Sequence, residues 1–463
     1  MKLKPIQIAM KLLLVSLITI FSFCKKDTSA QQQNTDTKYP QYGTPFANVP
    51  KVSDAAIYQV NLRAFSADHN FKSVTAKLDE IKSLGINVVY LMPIYPVGVV
   101  KSAGGLGSPY SVKDYKAINT EFGNLDDLRQ LVDAAHSKGM AVMLDWVANH
   151  TSWDNAWTAN KSWYQQDANG NFIPPAGTNW SDVIALNYSN KDMRTAMIDA
   201  MRYWVYTANI DGYRCDAADF VPLDFWKEAN DAMKAITTHK LLMLAEGTRA
   251  DHFKAGFQMV YGMGYYGNLK NNVFDKNASL YVLQNLNTTE YATALPGSQV
   301  VRYTTNHDVY LSDGSPVNIF GGKTGSMAAF LVTSYMKGVP MIYNGQEVGA
   351  TLKIDFFYNT PIDWSTNPDM TKEYKDILNF RASSDAVKTG DLGLYSSDDV
   401  SVFTKSNDKQ KVLVIANIRN DNKTYNVPPA LANGTWKNAF TNAAVTLGST
   451  LKLQPYQHMV FVQ

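Results

Sequence analysis

The chain has 463 residues, 45% of them hydrophobic and 18% charged, with a formal net charge of +2. That length exceeds one small core and predicts one large domain with smaller additions. The near-neutral balance excludes partners held chiefly by charge, nucleic acid above all. Aromatic residues are plentiful, with 9 Trp, 26 Tyr and 20 Phe, and their flat apolar faces suit sugar rings as well as a large core.

At the N-terminus, Lys2, Lys4 and Lys11 precede an apolar run at 12–23 that ends at Cys24. A basic start and so short a run predict an export signal rather than a membrane span. With Cys24 at its end, segment 1–24 resembles a bacterial lipoprotein signal. The resemblance implies acylation of Cys24 and a membrane-anchored protein at the cell surface or in the periplasm, touching the membrane only through that lipid. Phe23 departs from the small residue usual before such a cysteine, so ordinary cleavage and secretion is the alternative. The only other cysteine is Cys215, which leaves no intramolecular disulfide once Cys24 is lipidated. Residues 25–52, rich in Gln, Thr, Asn, Ser and Lys, predict a flexible tether.

From residue 56 a rhythm begins. Strands are predicted at 57–65, 87–93, 140–147, 212–217, 241–246, 259–263, 300–305 and 340–343. Helices are predicted between them, at 74–84, 125–138, 191–208, 224–236, 279–286, 326–337 and 372–384. Eight strands alternating with helices predict an α/β fold, a closed (β/α)8 TIM barrel over 53–388. The connection 151–190 is too long for an ordinary loop and carries Trp153, Trp157, Trp163, Tyr164, Trp180 and Tyr188. It leaves the C-terminal end of a strand, where barrel active sites are built, and predicts a small excursion subdomain walling a cleft. Short β-like segments separated by Asn, Asp and Gly turns then predict a C-terminal antiparallel β-sandwich domain over 389–463.

The chemistry gathers at strand ends. The third strand ends Asp145-Trp146-Val147-Ala148-Asn149-His150, the fourth carries Arg214 and Asp216, the fifth ends at Glu246, and the seventh ends Asn306-His307-Asp308. Arg214 and Asp216, two apart on a strand, share a face. Alone, they would serve equally as a structural ion pair. In a barrel all four ends converge on one mouth, and so many polar groups are costly to desolvate there without a purpose. Two carboxyls of opposite role are what glycoside hydrolysis needs, one attacking the anomeric carbon and one protonating the leaving oxygen. Arg214 keeps Asp216 charged, whereas Glu246, with apolar neighbours and no basic residue beside it, is the better proton donor.

These motifs resemble those of the α-amylase family of retaining glycoside hydrolases (glycoside hydrolase family 13). They are DWVANH at 145–150, GYRCDAAD at 212–219, AEG at 245–247 and TTNHD at 304–308, in the family's order. LMPIYP at 91–96, SPYSVKDY at 108–115, LNYSN at 186–190 and YNGQEVG at 343–349 extend the likeness. The resemblance implies that Asp216 is the nucleophile, Glu246 the general acid and base, and Asp308 the third carboxylate holding sugar hydroxyls. It further implies that Arg214 orients Asp216, that His150 and His307 hydrogen-bond the sugar beside the scissile bond, and that Tyr110 stacks on that sugar. Asp145 matches a structural aspartate supporting the arginine. Asn149 matches a calcium ligand, so Ca2+ is the one cofactor expected, and Asp167-Ala168-Asn169-Gly170-Asn171 is either a second calcium loop or, in the preferred reading, a polar turn.

One departure matters. Where many relatives carry Lys and His soon after the nucleophile, this chain has Asp219 and Phe220. That leaves open both leaving-group specificity and the family's calcium site. The expected activity is retaining hydrolysis of α-1,4 bonds in starch, glycogen or maltooligosaccharides by a monomer. The alternatives are a cyclomaltodextrinase or neopullulanase type, against which the lack of their large extra N-terminal domain counts, and a transglycosylase using the same residues. A non-catalytic glucan-binding surface protein is the remote alternative, because all three carboxylates are present.

Overall fold

A computed structural model describes residues 38–432 and 434–463. The export signal, Cys24 and the first part of the tether lie outside the described residues. Eight parallel strands close a barrel: β1 (Ile57–Val60), β2 (Val88–Leu91), β3 (Ala141–Val147), β4 (Gly212–Asp216), β5 (Leu242–Ala245), β6 (Met259–Tyr261), β7 (Gln299–Arg302) and β8 (Val339–Tyr343). Each pairs with its neighbours in chain order, and β8 closes on β1. The strands read as continuous apolar runs because both faces are covered, one by the barrel interior and one by helices; every residue of β3 is buried.

Helices cover the outside where the sequence supplies caps. Asn124 caps Leu125–Ser137 in a reciprocal capping box with Asp127, satisfying amide groups the first turn leaves bare. Asn190 caps Lys191–Ala208, which stops at Asn209 in the left-handed conformation. The predicted first strand is shorter than the run suggested: after Val60 the Asn61 side chain accepts from the Arg63 amide and starts the short helix Leu62–Phe65. The predicted helix 74–84 is two pieces, Phe71–Ala76 and Leu78–Ser83, meeting at Lys77.

Register positions the site. Across β3 and β4, Asp145 stands beside Arg214 and Val147 beside Asp216; across β4 and β5, Arg214 stands beside Leu244 and Cys215 beside Ala245. Glu246 therefore follows directly at the mouth, its amide bonded to the Cys215 carbonyl at 2.9 Å. At the other end of β4, Gly212 has φ +151, and a Cβ there would overlap the Leu242 carbonyl. Only glycine permits that approach of β4 to β5.

The excursion after β3 is anchored by a two-stranded ribbon, His150–Ser152 against Val183–Ala185. Beyond the barrel, β9 (Asp391–Leu394), β10 (Val400–Ser406), β11 (Lys411–Asn417), β12 (Lys423–Asn426), β13 (Thr435–Asn438), β14 (Ala444–Thr446), β15 (Thr450–Leu453) and β16 (His458–Val462) form the C-terminal region. Six of them make one antiparallel sheet, β9-β10-β11-β16-β13-β14, and β12 pairs with β15. Val402, Leu413 and Ile415 pack beneath Tyr425 and Leu453 of that pair, while Phe403, Val412 and Val414 join the barrel's core from the other face.

The later part of the tether departs from the flexible segment expected for 25–52. Phe46 is buried and stacks on His136 with ring centroids 4.5 Å apart. The Tyr42 amide bonds the Tyr206 carbonyl at 2.7 Å, and the Tyr39 hydroxyl bonds Asp199 at 2.7 Å. Three aromatic side chains in a polar stretch were enough to dock it, since burying them offsets the entropy of ordering the backbone.

Candidate active site

Arg214 is fully buried, and its guanidinium joins three carboxyls. Nη1 donates to Asp145 Oδ1 at 2.7 Å and to Asp216 Oδ1 at 2.9 Å, while Nη2 lies 2.7 Å from Glu246 Oε1. The last contact corrects the expectation that Glu246 has no basic neighbour. The neighbour comes from the adjacent strand, and linear sequence does not show it. The residue after Asp216, Ala217, sits at φ +44, a strained conformation for a side-chain-bearing residue. It turns its amide onto Glu246 Oε2 at 2.7 Å. Both oxygens of Glu246 are thereby held, one by charge and one by backbone.

Three carboxyls, those of Asp145, Asp216 and Glu246, meet one guanidinium, and Asp308 lines the same cavity. Burial raises Asp145 to about 6 against the pull of Arg214. Burial likewise raises Asp216 well above the ordinary range, opposed by Arg214 and reinforced by Glu246, Asp145 and Asp308. Asp308 is raised by burial, with Arg214 and a hydrogen bond involving Glu246 acting the other way. Burial favours the protonated form of Asp145, Asp216 and Asp308, and Arg214 opposes it at each. That arrangement can hold one carboxyl as acid while another stays a nucleophile.

Tyr110 and His307 form the adjoining wall. Their rings stack with centroids 5.3 Å apart, and the Tyr110 hydroxyl lies 2.6 Å from His307 Nε2 and 3.1 Å from Asp145 Oδ2. Gln59, facing inward from β1, places its amide nitrogen 2.7 Å from His307 Nδ1. Burial lowers His307 to about 3 and His150 to about 4, so both rings are neutral. The Gln59 amide and the Tyr110 hydroxyl thus hold the His307 ring at both nitrogens, and Tyr110 donates to Asp145. Opposite, His150 meets Trp180 edge to face at 5.4 Å.

All eight expected site residues except Asn149 and Arg214 line one cavity of about 280 Å³, and Arg214 braces it from behind. Asn149 instead places its amide nitrogen 3.2 Å from His150 Nδ1. Among the described residues no group of three His, Cys, Asp or Glu side chains could hold a metal ion. Asp167 takes the turn reading, its carboxylate accepting from the Asn169 and Asn171 amides at 2.9 Å. Sequence reasoning missed Gln59 and the wall residues Phe356 and Phe357. The aromatic run Phe356-Phe357-Tyr358 just past the eighth strand was the available signal.

The departure after the nucleophile has a structural account. Asp219 accepts from the Thr248 amide at 2.9 Å, the Thr248 hydroxyl at 3.1 Å and the Arg249 amide at 3.1 Å, and lies 2.6 Å from His252 Nε2. Burial pushes its carboxyl up, but bonds from His252, Thr248 and Arg249 prevail and hold it at about 2. Arg249 answers by donating to the Asp219 and Val221 carbonyls, both at 3.0 Å. Asp219 thus tethers the loop that carries Glu246. Being depressed, it contributes stability that is full above the ordinary carboxylate range and lost as pH falls towards its folded value. Asp219→Asn is expected to cut turnover by roughly tenfold to a hundredfold through misplacement of Glu246. The melting-temperature gap between wild type and variant should shrink as pH falls from about 5 to about 2, measured by circular dichroism; a constant gap would exclude the charge-assisted tether.

The comparisons with known proteins agree with this geometry. The family described as "Alpha amylase, catalytic domain" matches residues 65–182 and 178–432. Alpha-amylase 2 of Dictyoglomus thermophilum is 25% identical, the match covering 83% of this chain and 69% of that one. A cyclomaltodextrinase of Geobacillus thermopakistaniensis is 24% identical over 79% of this chain and 65% of its own. Among solved structures, an alpha-amylase from Lactobacillus plantarum superposes with a TM-score of 0.80 at 28% identity, over 89% of this chain and 99% of that one. The chain belongs to the α-amylase family of glycoside hydrolases.

Proposed function

We propose that this hydrolase cuts α-1,4-glucosidic bonds of starch, glycogen or maltooligosaccharides with retention of configuration. The observation that carries the reading is the single buried guanidinium shared by Asp216 and Glu246 at one cavity wall. Asp216, aimed by Arg214, attacks the anomeric carbon and forms a β-glycosyl ester while Glu246 gives its proton to the departing oxygen. Glu246, now a carboxylate, takes a proton from water, which opens the ester and yields the α-anomer. Asp308 and the neutral His150 and His307 bind sugar hydroxyls. Positive charge grows on the sugar ring in the transition state, and the surrounding carboxylates stabilise it there more than in the ground state. Tyr110 supplies a flat face for the ring.

A cyclomaltodextrinase reading draws on the relative of that name, and a product profile on amylose, pullulan and cyclodextrins separates the two. Glu246→Gln is expected to lower turnover on maltooligosaccharides by roughly a hundredfold to ten-thousandfold, and Asp216→Asn by at least as much, with melting temperature retained. Near-normal rates in either would sink the assignment. Proton NMR of fresh digests should show α-anomers before mutarotation; β-anomers first would exclude retention. We propose further that the exported chain is held at a membrane by a lipid on Cys24. Cys24→Ser should move the protein from the membrane to the soluble fraction, and unchanged fractionation would overturn the anchor.

A further inference from the structure

The two ends of the cavity are built differently. The acid protonates the leaving oxygen, so the leaving group lies on the Glu246 side and the attacked sugar extends the other way, over Tyr110 and His307. On the Glu246 side the boundary is open. Phe220 is 52% exposed and meets Trp180 at 5.7 Å, leaving an aromatic edge in solvent.

Beyond Tyr110 and His307 stand two phenylalanines. Phe356 packs against both rings, with centroids 5.9 Å and 5.7 Å away, and Phe357 backs it at 4.6 Å. Facing them is the loop through Ala103, which also lines the cavity. The two loops are bonded together: the Leu106 amide donates to the Phe357 carbonyl at 2.9 Å. Gly104 lets the Phe357 ring lie flush on the opposing backbone, since a Cβ there would stand 2.6 Å from it. Arg63 then staples the pair from below. Its guanidinium is buried and donates to the Gly107 carbonyl at 2.7 Å, the Phe356 carbonyl at 2.8 Å and the Leu106 carbonyl at 3.1 Å. Glu121 balances its charge at 3.1 Å. Three carbonyl bonds and one ion pair from a single side chain make this a fixed wall rather than a swinging lid.

We propose that this wall closes the glycone end and makes the enzyme exo-acting, admitting only the non-reducing terminus of an α-glucan and releasing glucose or maltose from it. The inference rests on the α-glucan reading above and adds the direction and size of the cut. A chain continuing past the terminal sugars would have to displace Phe356 and Phe357 and break the Leu106 bond, whereas the leaving-group side accepts a chain of any length.

The test compares reducing-end-labelled maltoheptaose with the same oligosaccharide whose non-reducing terminus carries a 4,6-O-benzylidene bridge. The intact chain is expected to be cut about a hundredfold faster, because the bridged terminus clashes with a pocket that cannot yield. Comparable rates on both would overturn the wall. On amylose, reducing sugar should rise in step with a slow fall in viscosity; an early collapse of viscosity would also overturn it. Hydrolysis of neither oligosaccharide would instead refute the α-glucan reading itself. Phe357→Ala, at a position partly open to solvent, should narrow the gap between the two substrates roughly tenfold, and a ratio unmoved by that change would overturn the assignment of the wall to this loop.

Discussion

The site depends on one buried cation. Arg214 is the charge against which Asp145, Asp216 and Glu246 are all oriented. Removing it would leave buried carboxylates uncompensated, a loss of about 3–5 kcal/mol in comparable buried pairs. Asp145 carries this constraint outward. Its second oxygen receives the Tyr90 hydroxyl at 2.5 Å and the Tyr110 hydroxyl at 3.1 Å. A continuous line therefore runs from Gln59 through His307, Tyr110, Asp145 and Arg214 to Asp216. It joins the sugar platform to the attacking group across strands distant in sequence, and such coupling favours preorganisation over adjustment on binding.

The loops around the mouth follow the same principle with different charges. At the leaving-group end an anion, Asp219, collects amide hydrogens and fixes the loop bearing Glu246. At the glycone end a cation, Arg63, collects carbonyl oxygens and fixes two loops to each other. In each case one charged side chain satisfies backbone groups that a loop cannot pair within itself. The barrel supplies strand ends of common register, and these pins fix the loops that surround the cavity between them. Glu347, by contrast, stays out of the mouth. It is bonded to the Tyr58 hydroxyl at 2.5 Å on the outer side of β1, and burial pushes it up to about 7.

Much of the molecule was legible before any coordinates. Alternating apolar runs and capped amphipathic stretches specify a parallel barrel because strands buried on both faces have few other homes. The four strand-end motifs, from Asp145 to Asp308, point to one cavity because strand direction forces their convergence. Period-two alternation places Arg214 and Asp216 together and sends Cys215 outward, where it is buried.

What periodicity could not carry was contact between strands and between loops. The Arg214 bridge to Glu246, the Gln59 support of His307, the docking of Phe46 and the Arg63 staple all join residues far apart in sequence. Their geometry follows from barrel register and loop packing rather than from any local pattern. Asp219 makes the distinction plainly. In the sequence it is only a departure from the family's Lys; in the fold it is the anion around which the acid-bearing loop is wound, because only the folded chain brings Thr248, Arg249 and His252 within reach of its carboxylate. From the sequence follow the barrel and the convergence of Asp216, Glu246 and Asp308 on one cavity. Only the folded chain shows how Asp145, Asp216 and Glu246 share one cation and how Arg63 binds two loops together, since both depend on through-space distances that no spacing along the chain encodes.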